Sequence, residues 1–213
     1  EMWRLLEASD LAIAEMRAFT SARSAGRVLS FRGLDVPCRE LTEAAVASLD
    51  LVLASAGGAV SRIWSPRFAA AGAVVVDNSS AFRADPACGL VIPEVNNTEM
   101  DRPVSIFAVA NCSTIQMVAA LAPLHRAWGL RAVRVATYQS VSGAGARAIE
   151  ELERGTRAAL AGEEERPEVF PHPIAFNVVP QIGTFDESGE TQEERKMRAE
   201  YRRGAQQEGA QAR

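Results

Sequence analysis

Apolar residues along the chain fall into short continuous runs that alternate with stretches of helical spacing, the order expected of parallel strands joined by crossover helices. The run Leu51 to Ala54 in "LDLVLASAGG" stops at Gly57 and Gly58. It is followed by the helix-like "VSRIWSPRFAAAG", for which Gly72 serves as the terminating glycine. Ala73 to Val76 in "AVVVDNSSAF" then read as a buried parallel strand that ends in polar residues. Ligands gather at strand ends of this kind in open α/β sheets, so Ser55, Gly57, Asn78 and Ser79 are expected on one rim.

Past "FAVANCSTIQM" the pattern changes. "TIQMVAALAPLHRAWG" carries a helical stripe that Pro123 is expected to break. In "LRAVRVATYQSV" the positions Ala132, Val133, Val135 and Thr137 predict a longer strand facing one core. A glycine-preceded helix follows in "SGAGARAIEELERGTRAAL", then a charged surface loop in "GEEERPEVF" and an extended segment in "IAFNVVPQIG". The chain opens inside a helical pattern, with Met2, Leu5 and Leu6 on one face and no cap, which predicts further sequence upstream. It closes on "YRRGAQQEGAQAR", a polar tract expected to be disordered. The reading is an α/β fold: a Rossmann-like parallel-sheet nucleotide domain over 1–111, an α+β substrate and dimerisation domain over 112–201, and a polar tail over 202–213.

Composition narrows the class without naming a function. The chain has 213 residues, 47% of them hydrophobic and 23% charged, and a net charge of −4 with the two signs interspersed. That excludes the basic footprint of a nucleic-acid binder. No run approaches the roughly 18 apolar residues that span a bilayer, so no membrane role is expected and the default compartment is the cytoplasm. Cys38, Cys88 and Cys112 are odd in number and widely spaced, which favours neither a disulfide framework nor a metal site.

Cys112 is the candidate for chemistry. A lone thiol in an apolar setting is usually inert packing. Ser113 and Thr114 open the helical pattern after it, however, which places the sulfur at a helix N-terminus, where unpaired N–H groups and the helix dipole favour a thiolate.

Eight strings stand in the order and approximate spacing of the NADP-dependent bacterial aspartate-semialdehyde dehydrogenase family: "SARSAG", "SAGGAVS", "VDNSSAFR", "VIPEVN", "NCSTIQM", "YQSVSGAGAR", "IAFNVVPQIG" and "EERKM". The chain resembles that family up to about Tyr201. The resemblance implies that Cys112 is the nucleophile and that Gln139 orients the substrate beside it. It implies that Arg83 and Asn111 bind phosphate, that Glu193 holds the substrate ammonium and that Lys196 assists with phosphate. Without it, Glu193 and Lys196 read as a solvated pair sharing a helical face.

For the cofactor the resemblance implies NADP. Ser21, Arg23 and Ser24 follow the second strand, where an acidic residue would favour NAD and positive charge favours a 2′-phosphate. Ser55, Gly57 and Gly58 are implied to pass beneath the pyrophosphate and ribose, Asn78 and Ser79 to line the adjacent strand end, and Ser142 and Gly143 to approach the nicotinamide. The implied partners are aspartate semialdehyde and phosphate, with assembly as a homodimer or homotetramer.

The family's glycine-rich phosphate turn and its acid/base histidine have no counterpart among these residues. His125 and His172 stand in neither motif, so the chain is expected to be truncated at both ends and catalytically silent by itself. Two other readings stay open: an N-acetyl-glutamyl-phosphate reductase-like enzyme and a noncatalytic partner subunit.

Overall fold

The computed structural model describes residues 2–211, with the side chains of the last helix described as far as residue 204. In chain order the elements are α1 (Met2–Glu7), β1 (Ala18–Thr20), β2 (Val28–Phe31), β3 (Leu34–Glu40), β4 (Leu51–Ala54), α2 (Gly58–Ala70), β5 (Val74–Asp77), β6 (Gly89–Val91), α3 (Pro93–Asn96), β7 (Ile106–Val109), α4 (Cys112–Trp128), α5 (Ala146–Ala161) and α6 (Gln192–Gln211). The strands form two sheets. One has the order β1-β3-β2, with β1 parallel and β2 antiparallel to β3; the other has the order β4-β5-β7-β6 and is parallel throughout.

The β2–β3 hairpin turns on two residues, Arg32 and Gly33, at φ 50° and 78°. Two positive φ values match the right-handed strand twist, but a non-glycine residue is strained there. Arg32 is held in place by its own side chain. Nε, Nη1 and Nη2 donate to the carbonyls of Glu7, Leu11, Leu6 and Ser9, and so collect the exposed end of α1. Trp3 fixes the same helix with Nε1 on the Ser30 carbonyl at 2.7 Å and its ring edge-on to Phe31.

The parallel sheet carries the core that positions the site. Val46, Phe68, Ala73 and Val75 form one buried cluster around α2 and β5, and Leu90, Ile92, Ala108, Ala110 and Val118 form another where α4 packs on β6 and β7. Gly89 pairs with Phe107 across β6 and β7, and a Cβ there would lie 2.6 Å from the Phe107 ring, so only glycine fits. At the end of β5, Asp77 is fully buried. It accepts from Ser61 Oγ at 3.3 Å, Ser65 Oγ at 2.9 Å and the Ser79 N–H at 2.7 Å. The two serines lie one helical turn apart on α2, so this carboxylate ties α2 to β5 and braces the turn that follows.

Three expectations are corrected. The strand predicted over 132–137 does not form: its alternation is real, but no described strand pairs with it, and Val135 and Tyr138 are exposed. Pro123 lies inside α4 and does not end it: Val118, in the turn before it, is packed into the core with Leu90 and Ala108, and Ala122 beside it is buried. The tail expected to be disordered continues α6 to Gln211, with alanine, glutamine, glutamate and arginine outnumbering Gly204 and Gly209; residues 212 and 213 lie outside the described residues.

The loop after α5 is surface but tethered. Buried Glu151 accepts from the backbone N–H groups of Glu168 at 2.8 Å, Val169 at 2.6 Å and Phe170 at 3.2 Å. Burial opposes its ionisation, yet the three donors outweigh that and hold the carboxyl below its ordinary value.

Candidate active site

β7 delivers the chain to Asn111, which caps α4: its side-chain oxygen accepts the Ser113 N–H at 2.9 Å. Cys112 is therefore the first helical residue, and its thiol is exposed while Cys38 and Cys88 are buried. Its Sγ lies 3.9 Å from Ser113 Oγ. Cys88 is pushed above its ordinary value by burial and by the charge of Asp85. The exposure of Cys112 answers the packing alternative directly: this thiol is not core.

α6 brings carboxylates to both flanks of the cysteine. Glu193 is buried, and its Oε1 accepts from Ser113 Oγ at 3.1 Å and Gln139 Nε2 at 3.3 Å while its Oε2 accepts from Asn111 Nδ2 at 3.0 Å. Gln139, on an otherwise exposed irregular segment, also receives the Thr137 hydroxyl at 3.0 Å. The solvated-pair reading of Glu193 and Lys196 is thus corrected for the glutamate. Lys196 is half-buried and makes no hydrogen bond or ion pair among the described residues.

One helical heptad further on, Glu200 is also buried. Its Oε2 accepts the Asn111 N–H at 2.6 Å, and its Oε1 lies 3.4 Å from Arg83 Nη1. Arg83 otherwise donates Nε to the Val109 carbonyl at 2.8 Å and Nη2 to the Asn78 carbonyl at 3.2 Å. Arg203, lowered from its ordinary value mainly by burial, donates to the carbonyls of Arg83 at 2.5 Å and of Cys88. Cys112, Asn111, Arg83, Gln139 and Glu193 therefore belong to one bonded group at the end of β7.

The expected cofactor residues fall into three places. Ser55 and Asn78 meet at the ends of β4 and β5, with Asn78 Nδ2 3.4 Å from Ser55 Oγ. They line a cavity of about 720 Å³ with Met2, Trp3, Leu5, Leu6 and Leu53. Gly57, at φ 89°, opens α2 beside Gly58; Ser79 is buried, with its Oγ on the Ala81 N–H at 3.1 Å. Ser21, Arg23 and Ser24 follow β1 on the other sheet, where Arg23 is exposed and unbonded among the described residues. Ser142 and Gly143 lie in the exposed turn before α5, with Ser142 Oγ 2.6 Å from Ser140 Oγ. No hydrogen bond joins these three groups among the described residues.

Neither histidine stands at the thiol. His125 lies thirteen residues along α4 from Cys112, about 20 Å at the helical rise, and its Nδ1 accepts the Leu130 N–H. His172 is exposed between two prolines. Among the described residues no cluster of His, Cys, Asp or Glu is fit to hold a metal, and no helix is long and apolar enough to cross a membrane.

Sequence reasoning missed Glu200, Arg203, Ser113 as a Glu193 ligand, and the Asp77 tie. The signal for Glu200 was present: Glu193, Met197 and Glu200 share one face at i, i+4 and i+7, around a buried methionine.

Two family models match in chain order: the semialdehyde dehydrogenase NAD binding domain over residues 1–102 and the semialdehyde dehydrogenase dimerisation domain over residues 121–212. The aspartate-semialdehyde dehydrogenase of Aquifex aeolicus is 46% identical over 204 residues, 94% of this chain and 60% of the relative. That of Bacillus subtilis is 43% identical over 204 residues, 92% of this chain and 59% of the relative. Among solved structures, aspartate semialdehyde dehydrogenase II from Vibrio cholerae aligns with a TM-score of 0.89 at 41% identity, covering 92% of this chain and 59% of that one. The same enzyme complexed with ASA aligns with a TM-score of 0.88. The chain spans about three fifths of the length of these relatives.

Proposed function

The chain belongs to the aspartate-semialdehyde dehydrogenase family, and from that premise we propose that it interconverts aspartate semialdehyde plus phosphate with aspartyl phosphate, using NADP and a thioester on Cys112, in the synthesis of lysine, threonine and methionine. The observation that carries the reading is the exposed Cys112 at the head of α4, with both neighbouring residues and Gln139 bound to Glu193 and with Arg83 held at the end of β7.

In the oxidative direction the Cys112 sulfur bonds to the aldehyde carbon, and the carbonyl oxygen takes up a proton. Bound NADP supplies the two-electron acceptor for the hydride that this carbon then loses. As the hydride leaves, the oxygen releases its proton and the carbon becomes a thioester carbonyl. A phosphate oxygen then attacks that carbon, the C–S bond breaks, and the Cys112 thiolate is the leaving group. Biosynthesis runs the same steps in reverse.

The chain's own residues bind and orient. Three of the five N–H groups of Arg83 are engaged, which leaves one on each Nη to donate to a phosphate oxygen. Half-buried Lys196 adds charge for the same anion. Glu193 offers about four acceptor sites, of which three are filled, so one remains for the substrate ammonium. Asn111, with its N–H given to Glu200 and one Nδ2 hydrogen given to Glu193, contributes through the second hydrogen of Nδ2.

The residues present fit a dinucleotide. Gly57 and Gly58 present backbone at the start of α2, Ser55 and Asn78 rim a cavity, and Arg23 offers an unbonded guanidinium to a 2′-phosphate. Ser79 braces this rim from within, and Ser142 and Gly143 approach from the turn before α5. Assembly as a homodimer or homotetramer is supported by the dimerisation-domain match, and a cytoplasmic setting by three free cysteines.

Neither histidine serves as acid/base group on this reading. The decisive experiment is phosphate-dependent NADP reduction by the full-length protein and its Cys112→Ser variant. Loss of turnover with cofactor binding retained is expected, and equal turnover removes Cys112 from the mechanism.

A further inference from the structure

We propose that Glu200 is a positioning residue for the phosphate step, orienting the Arg83 fork relative to the nucleophile; this rests on the function proposed above. The observation is one buried carboxylate shared between two parts of the site. Its Oε2 holds the N–H of Asn111, the residue before Cys112, at 2.6 Å, and its Oε1 faces Arg83 Nη1 at 3.4 Å. A buried carboxylate needs such partners, since an unpaired one is strongly disfavoured.

Arg83 is anchored on all three nitrogens: Nε by Val109, Nη2 by Asn78 and Nη1 by Glu200. The first two acceptors are backbone carbonyls at strand ends. Only the third is a side chain, and it is the one that also touches the nucleophile's turn. Glu200 therefore sets the separation between the phosphate-gripping fork and the thiol, the distance on which attack at the thioester depends.

A second effect of Glu200 has the opposite sign. A carboxylate beside Arg83 also lowers the positive potential that an incoming phosphate meets. If charge alone mattered, neutralising Glu200 would tighten phosphate binding. If positioning dominates, neutralising or shortening it weakens phosphate use. In Glu200→Gln the amide oxygen keeps the close Asn111 N–H, which turns the NH₂ group toward Arg83 and sets donor against donor. In Glu200→Asp the charge stays but the reach shortens by one methylene.

The test measures KM for phosphate, aspartate semialdehyde and NADP in the full-length protein, in Glu200→Gln and in Glu200→Asp, with urea unfolding of each. Both variants are expected to raise the phosphate KM by about ten- to a hundredfold, the equivalent of one charge-assisted hydrogen bond. The other two KM values should stay within about threefold. In an Arg83→Gln background, adding Glu200→Gln should raise the phosphate KM no further, which a merely structural role would not produce. An unchanged or lower phosphate KM in folded Glu200→Gln overturns the inference. If that variant does not fold, an unchanged phosphate KM in Glu200→Asp overturns it equally. Absence of phosphate-dependent turnover in the parent instead overturns the proposed function, and this inference with it.

Discussion

Glu193 reaches across 82 residues of sequence to accept the Asn111 side-chain amide at 3.0 Å. Its other oxygen takes the Ser113 hydroxyl at 3.1 Å, so one carboxylate of α6 holds the residues on either side of Cys112. The cysteine itself is left exposed between them. Packing of α6 and order in the nucleophile's turn are thereby the same interaction.

Glu193→Ala strands the Asn111 and Ser113 donors in a buried site. The expected cost is about 2–4 kcal/mol, from two to three lost charge-assisted bonds partly offset by water entry. Urea unfolding of the parent and variant checks it, and a difference below about 1 kcal/mol contradicts the bonding described.

Cys112 is exposed, whereas Cys38 and Cys88 are 5% and 4% exposed. Iodoacetamide should modify Cys112 at least about tenfold faster than either in the folded protein, because an alkylating agent reaches the buried thiols only through local opening. Peptide mass spectrometry over time reads the three rates, which should converge in concentrated urea.

Arg23 has no partner among the described residues, and on the proposed function it grips the 2′-phosphate. Arg23→Ala should lower kcat/KM for NADP by roughly ten- to a hundredfold while leaving that for NAD within about twofold. A ratio of the two efficiencies equal to the parent's excludes Arg23 from cofactor selection.

Glu151 is a carboxylate whose folded value lies below its unfolded one. It therefore contributes stability that is fully present above about pH 4.3, the ordinary glutamate value, and is lost as pH falls through the lower folded value. Glu151→Gln should reduce the melting temperature by roughly 4–10 °C at pH 7, from about 2–3 kcal/mol of lost bonding to the 168–170 backbone. The gap between parent and variant should narrow as pH drops below 4. A gap that is the same at pH 7 and pH 3 contradicts an ionised Glu151.

The sequence by itself determined whatever is encoded by near neighbours. The run Leu51 to Ala54 coincides with β4, and the strand expected over 73–76 appears one residue later as Val74–Asp77. Gly72 follows α2 at φ 98°, and Cys112 stands at the head of α4. These features depend on continuous apolar runs, on glycine's freedom at positive φ and on capping side chains, all of which act within a few residues. Tertiary structure decided the rest. The alternation over 132–137 satisfies a strand's local pattern, but a strand exists only with a partner, and none of the described strands supplies one. Glu193 and Lys196 look alike as a polar pair three residues apart, and only the docking of α6 against the end of β7 buries the first and leaves the second half-exposed. Glu200 and Arg83 are joined across 117 residues. Local periodicity can place Glu200 on the face it shares with Glu193, but which arginine and which backbone N–H that face meets is set by how α6 packs against α3 and α4.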